Sequence, residues 1–191
     1  MGLGECVMIK RLEAKDYLSV DAVAKILKIT FPWSYGNDYT ALEEAKDLLS
    51  DSGIVYVYEV DNSIVGLVGA KPQYGKTGWE LHPLAVLKEY HNQGIGSALI
   101  KRIEESVKEL GGIVMYLGTD DEHFRTSLSK IDLFDEPFEA IKKIENYQRH
   151  PYEFYQKLGY QIVGVIPDVN GFNKPDIFMA KRLVKPPWKD D

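Results

Sequence analysis

The chain has 191 residues, a formal net charge of −6, 45% apolar and 27% charged residues, enough for a real hydrophobic core in a globular protein. The acidic balance argues against a general nucleic-acid binder, and no apolar run approaches the ~20 residues of a membrane-spanning helix. A single cysteine, Cys6, cannot close an internal disulfide, and the opening MGLGECVMIKRLEAKD lacks a signal peptide's apolar core, so a reducing, cytoplasmic setting is expected.

Cys6 to Leu12 reads as a first strand. From Asp16 to Ile29 the apolar residues Leu18, Val20, Val23, Ile26 and Leu27 recur at helical spacing. Phe31-Pro32-Trp33-Ser34-Tyr35-Gly36 then breaks regularity with a proline, a glycine and three aromatics. Thr40 is placed to cap a second helix, TALEEAKDLL, with Glu43 completing a capping box. IVYVYEV and SIVGLVGA around Asp61-Asn62 predict a hairpin, and TGWELHPLAV a third strand of the same meander. Glu80, His82 and Leu84 alternate along that strand and are expected on one face. Pro83 cannot donate to a sheet ladder and predicts a local irregularity.

Gly94 opens an amphipathic helix. Ile95, Leu99, Ile103, Val107 and Leu110 form its apolar stripe, with Lys101, Glu104, Glu105 and Lys108 opposite. Gly111-Gly112 ends it. IVMYLGT follows as a buried-type strand, expected parallel to TGWELHPLAV because a helix joins the two. Asp120 to Arg149 is longer than an ordinary connection and looks helical in PFEAIKKIENY. YEFYQKLG predicts a short helix. YQIVGVIPD and KPDIFMAKRL predict final strands around the turn VNGFN, before a loose KPPWKDD tail. The order is β-α-α-β-β-β-α-β-(α)-α-β-β. It predicts a mixed α/β fold, a central mixed sheet flanked by helices, as a single domain over residues 1–191.

The segment His91-Asn92-Gln93-Gly94-Ile95-Gly96-Ser97 joins a strand to that amphipathic helix. Glycines let backbone N–H groups approach a ligand, and a helix start offers unpaired donors and partial positive charge, so such a loop can hold phosphate without a basic side chain. An isolated G-x-G equally well just tightens a turn. No G-x-x-x-x-G-K-[ST] string occurs, and Leu99 stands where a Rossmann fingerprint would carry its third glycine. The four histidines are scattered and no H-E-x-x-H or cysteine pair exists, so no metal site is expected.

Strand order and loop together resemble the Gcn5-related N-acetyltransferase superfamily, whose pyrophosphate loop reads [QR]-x-x-G-x-[GA] ahead of a helix. Gly94 and Gly96 match its small positions; His91 departs from the usual Gln or Arg. Phe154-Tyr155-Gln156-Lys157-Leu158-Gly159-Tyr160 matches a second element, F-Y-x-K-L-G-[FY], although His150-Pro151 replace the common Asn and Ala before it. The longer blocks PQYGKTGWELHPLAV, MYLGTDDE, HPYEFYQKLGYQIVGV and NGFNKPDIFMAK are similar to aminoglycoside 6'-N-acetyltransferases of the chromosomal Gram-positive type, from Phe31 to Arg182.

The resemblance implies acetyl-CoA as co-substrate. Its pyrophosphate would rest on the backbone of His91, Asn92, Gln93, Gly94, Ile95, Gly96 and Ser97, with further contacts from Leu84, Val86 and Tyr155. A primary amine would attack directly in a ternary complex. That chemistry needs a base, a donor to the carbonyl oxygen and a proton for the leaving thiolate. Glu80, acting through water, is the first base candidate and His82 the second; the Leu84 amide is the implied oxygen donor and Tyr155 the general acid. Phe31, Tyr35, Glu80, Asp120, Asp121 and Glu122 are the acceptor-site candidates, with Trp33 as a further wall. The three acids follow the C-terminal end of a predicted strand and suit a polycationic amine. Without the resemblance, Glu80 reads as a strand carboxylate, Tyr155 as a half-buried aromatic and the acids as a solvated turn. A homodimer through the hairpin from Tyr160 to Leu183 is implied as well. Two alternatives stay open: the same fold acting on a polyamine, small metabolite or protein amine, and a non-enzymatic acetyl-CoA sensor.

Overall fold

A computed structural model describes residues 7–13, 17–50 and 53–189; Cys6, Asp16 and the last two residues lie outside that set. The chain divides into two units, Met1–Gly112 and Ile113–Asp191. In the first, strands β1 (Val7–Arg11), β2 (Ile54–Val60), β3 (Ser63–Tyr74) and β4 (Gly78–Val86) form an antiparallel sheet in that order. Asp61 and Asn62, at φ 47° and 63°, make the two-residue turn between β2 and β3. Asp and Asn tolerate that left-handed backbone, which matches the twist of the flanking strands.

Three helices cover this sheet: α1 (Tyr17–Thr30), α2 (Asp38–Leu48) and α3 (Ile95–Glu109). Val23, Ile26, Leu27, Ala41, Ala45 and Leu48 pack with Val55, Val57, Leu67 and Ala85 on one face. A side chain at Gly66 would meet Ile95 and Leu99 of α3, which therefore lies on the other face. Burial on both faces explains why Ile54 to Val57 is a continuous apolar run rather than an alternating one. The cap of α2 differs from expectation. Asn37, not Thr40, begins the helix: its side chain accepts from the Thr40 N–H at 2.9 Å, so Thr40 is already in the first turn. Asn and Thr both cap well, and Asn37 leaves room for one more turn.

In the second unit, β7 (Asp176–Arg182) runs antiparallel between β5 (Val114–Asp120) and β6 (Gln161–Ile166). The helices here are α4 (Pro137–Lys142) and α5 (Tyr152–Lys157), plus a single 3-10 turn, Ser127–Lys130. The expected helix PFEAIKKIENY stops at Lys142 because the following residues turn to pair with 125–127. Ser127 N donates to Glu145 O, Tyr147 N to Arg125 O, and Thr126 bridges Asn146. Those bonds compete for the backbone that a longer helix would need.

Candidate functional site

Pro83 does mark an irregularity. On β3, Val68 pairs with Leu84 and Ala70 with Leu81, so Gly69 alone faces both His82 and Pro83, whose peptide bond is cis. A β-carbon at Gly69 would sit 2.4 Å from the His82 carbonyl oxygen; only glycine admits this bulge. The extra residue breaks the period-two alternation and reassigns the faces. Glu80 pairs with Lys71, beside α2, and the His82 ring also meets groups from the α1–α2 side. Leu84 and Val86 pair with Val68 and Gly66, on the α3 face. The expectation that Glu80, His82 and Leu84 share one face is thus corrected: the bulge separates Leu84 from the two titratable residues.

On the α1–α2 face, Glu80 is partly buried and its carboxylate accepts from Gln73 Nε2 at 2.8 Å. His82 Nε2 lies 3.2 Å from the Tyr35 hydroxyl and 3.5 Å from Glu44 Oε1. Burial, then the charge of Glu44 and a hydrogen bond to it, push the Tyr35 phenol up to about 12. Phe31 packs edge-on to Tyr35, with ring centroids 6.2 Å apart, and both lean on the hydrophobic core. Trp33, 85% exposed, is not part of that packing. Gln73 and Glu44 escaped the sequence reading. The signal for Glu44 was there: it stands between Ala41, Ala45 and Leu48 on the buried side of α2, where helical period favours an apolar residue.

The glycine-loop residues stand at the start of α3. Asn92 and Gly94 have φ of 62° and 81°, and nothing lies within 4 Å of where a Gly94 β-carbon would be. Gly94 gives the helix no side-chain cap, and its first turn carries no acid. Ala98 N is the first amide to bond back, to Gly94 O at 3.0 Å. The N–H groups of Ile95, Gly96 and Ser97 have no acceptor within the helix by position. Helix starts ordinarily attract Asp or Glu, so an uncapped, acid-free, open start fits a pyrophosphate. His91 Nε2–H donates to Val86 O at 2.8 Å, which ties the loop to the end of β4; Gln93 Nε2 donates to Glu89 O at 3.1 Å. The departure at His91 therefore has a structural use.

In the second unit, Tyr155 sits on α5 with its ring edge-on to Tyr160 and Phe154, centroids 5.9 and 5.2 Å away. Burial raises its phenol well above the ordinary range, so it stays protonated at neutral pH. Asp120 ends β5, exposed, accepting from the Asn170 side chain, and Glu122 is half-buried. Asp121, expected with them as an acceptor ligand, is corrected: it is 0% exposed. Its Oδ1 accepts from Arg125 N at 2.6 Å, and its Oδ2 from Thr126 N and Thr126 Oγ1 at 2.9 and 2.8 Å. A carboxylate so enclosed shapes the chain rather than a ligand. His150 contributes to the same loop. Its Nε2 bonds Asp120 O at 3.0 Å and its Nδ1 accepts from Tyr152 N at 3.2 Å. Burial lowers its pKa, which keeps the ring neutral. No group of three or more His, Cys, Asp or Glu fit to hold a metal occurs among the described residues, and no described helix is long and apolar enough to cross a membrane.

The acetyltransferase (GNAT) family matches over residues 20–128. An aminoglycoside 6'-N-acetyltransferase solved in complex with coenzyme A is 41% identical, over 94% of this chain and 99% of that one, with a TM-score of 0.89. The aminoglycoside 6'-N-acetyltransferase from Enterococcus faecium has the same identity and coverage and a TM-score of 0.88. The ribosomal-protein-S18-alanine N-acetyltransferase from Escherichia coli, 15% identical with a TM-score of 0.66 over 97% of this chain and 99% of that one, shares the fold alone. A comparison with curated protein sequences gives no match. The uncapped start of α3, the β4 bulge and these likenesses agree: the chain belongs to the acetyltransferase (GNAT) family.

Proposed function

We propose that this protein is an aminoglycoside 6'-N-acetyltransferase, a single domain over residues 1–191 that acts in the cytoplasm as a homodimer. The observation that carries the substrate is the 41% identity across 94% of the chain with enzymes of that activity, one of them holding coenzyme A. Acetyl-CoA supplies an activated thioester carbonyl. Backbone donors from His91 to Ser97 hold its pyrophosphate, and Leu84 and Val86, on the α3 face of β4, line its path. The Leu84 N–H donates to the carbonyl oxygen as negative charge builds there. Glu80 takes the proton of the incoming ammonium through water, with His82 as the second acceptor. Tyr155, held protonated by burial, donates to the leaving sulfur. Tyr35 and Phe31 wall the acceptor, and Asp120 and Glu122 pair with its ammonium groups.

The test is turnover of acetyl-CoA against an aminoglycoside panel, with free thiol as readout and product analysis for the acetylated position. Acetylation at the 6'-amine is expected. Turnover only with a polyamine or a peptide amine would leave the acetyltransferase and remove the substrate. For the dimer, β6 is the outer strand of its unit, with Val163 and Ile166 exposed, and an open edge invites pairing. Light scattering giving the 21.7 kDa monomer mass at micromolar concentration would remove that claim.

A further inference from the structure

The proposed chemistry gives no role to the Glu44 carboxylate, which lies on the same face as His82. The Glu44 side chain is only 22% exposed, and its Oε1 is 3.5 Å from His82 Nε2. The Tyr35 hydroxyl, 3.2 Å from the same nitrogen, also hydrogen-bonds Glu44. A carboxylate only accepts, so the single phenol hydrogen points to Glu44. His82 Nε2 then faces a phenol lone pair and a carboxylate oxygen. A ring lone pair there would be repelled by both; an N–H satisfies both.

We infer that Glu44 is a positioning residue for His82: with Tyr35 it holds the neutral imidazole in its Nε2–H form, which leaves Nδ1 as the proton-accepting atom. This deepens the function proposed above and rests on it, since it gives His82 a defined share in amine deprotonation. The step balances within the molecule. An N–H bond of the acceptor ammonium breaks, an N–H bond forms at Nδ1, and the positive charge moves to the imidazolium. Glu44, shielded from bulk water on the flank of α2, stabilises that charge, as a carboxylate behind a catalytic histidine does in other enzymes.

Two measurements test the inference. Nitrogen-15 NMR of labelled histidine in the intact protein should place the His82 proton on Nε2, and E44A should shift it toward a mixture of the two tautomers. Steady-state kinetics of E44A should show kcat falling about ten- to a hundredfold, the range seen when a partner that orients a metal-bound histidine is removed, with the acceptor KM within about twofold. The double variant E44A/H82N should be no slower than H82N, because Glu44 acts through His82. Should E44A not fold, E44Q keeps the shape, removes the charge and carries the same kinetic test. An unchanged tautomer in E44A, a loss confined to acceptor KM, or full kcat in H82N would each overturn the inference. Absence of aminoglycoside turnover in the wild type would instead remove the proposed substrate, and the NMR measurement would still decide the tautomer.

Discussion

Asp121→Ala is expected to destabilise the second unit strongly. The carboxylate is wholly buried and receives Arg125 N, Thr126 N and Thr126 Oγ1 at 2.6, 2.9 and 2.8 Å. Those bonds close a short loop in which Phe124 takes a left-handed φ of 55°, a costly backbone for a bulky residue. Removing the carboxylate strands two amides and a hydroxyl. Each hydrogen bond to a charged acceptor contributes ~1.5–3 kcal/mol, partly offset because a charge no longer has to be desolvated. Three such bonds lost together, net of that offset, come to about 3–5 kcal/mol. For a chain of this size, roughly 2–4 °C of Tm is lost per kcal/mol, so a drop of roughly 6–20 °C is expected. Asp121→Asn keeps one oxygen for two of the donors and should lose about 1–3 kcal/mol. Thermal unfolding followed by circular dichroism reads both. A Tm within about 2 °C of wild type for Asp121→Ala, roughly the effect of 1 kcal/mol or less, would refute the reasoning. A salt-sensitive rise in acceptor KM at unchanged Tm would return Asp121 to the acceptor site.

Gly96→Asp places a carboxylate at the start of α3 where phosphate is expected, and cofactor titration of the folded variant should show a large loss of affinity; unchanged binding would move the pyrophosphate elsewhere. Glu80→Gln keeps the shape and the contact with Gln73 but removes the base; the rate should fall ~10²–10⁴-fold with little change in cofactor affinity, and a full rate would pass the base role to His82 or water. Gly69→Ala drives a methyl into the His82 carbonyl, 2.4 Å from the ideal β-carbon. Overpacking of this kind costs ~1–3 kcal/mol and should also cut kcat by displacing His82; a variant with wild-type stability and rate would mean that the bulge adjusts freely. His150, whose pKa burial lowers, binds protons more readily unfolded than folded. Stability present above the unfolded value of ~6.5 should therefore decline as pH falls below it and level off once the folded pKa is passed, and denaturant midpoints in His150→Gln should lack that decline. The same slope in both proteins would assign it to another group.

Residue pattern alone determined the order of elements. Apolar spacing marked α1 and α3. The Asp61-Asn62 turn marked the hairpin, and Gly94 and Gly111 marked the ends of α3. These features are local: helix period, turn chemistry and caps act over a few residues and leave their trace in sequence. The glycine loop was equally legible, because an uncapped helix start needs only its own residues. The family's longer blocks then supplied a substrate class that no local pattern encodes.

Tertiary structure decided what depends on partners far along the chain. Thr40 and Asn37 both satisfy the rules for a cap, and in the fold Asn37 takes that position. The PFEAIKKIENY helix was cut short by backbone bonds to residues 125–127, which helical propensity cannot foresee. Asp120, Asp121 and Glu122 look alike as consecutive acids, yet one is sealed inside by three donors and the others are not. Most consequential is the bulge at His82-Pro83. Alternation fixes a side chain's face only while pairing stays one to one, and Gly69, thirteen residues upstream of His82, lets two residues oppose one. That long-range fit put Glu80 and His82 on the α2 side with Glu44, and left Leu84 on the face that α3 covers.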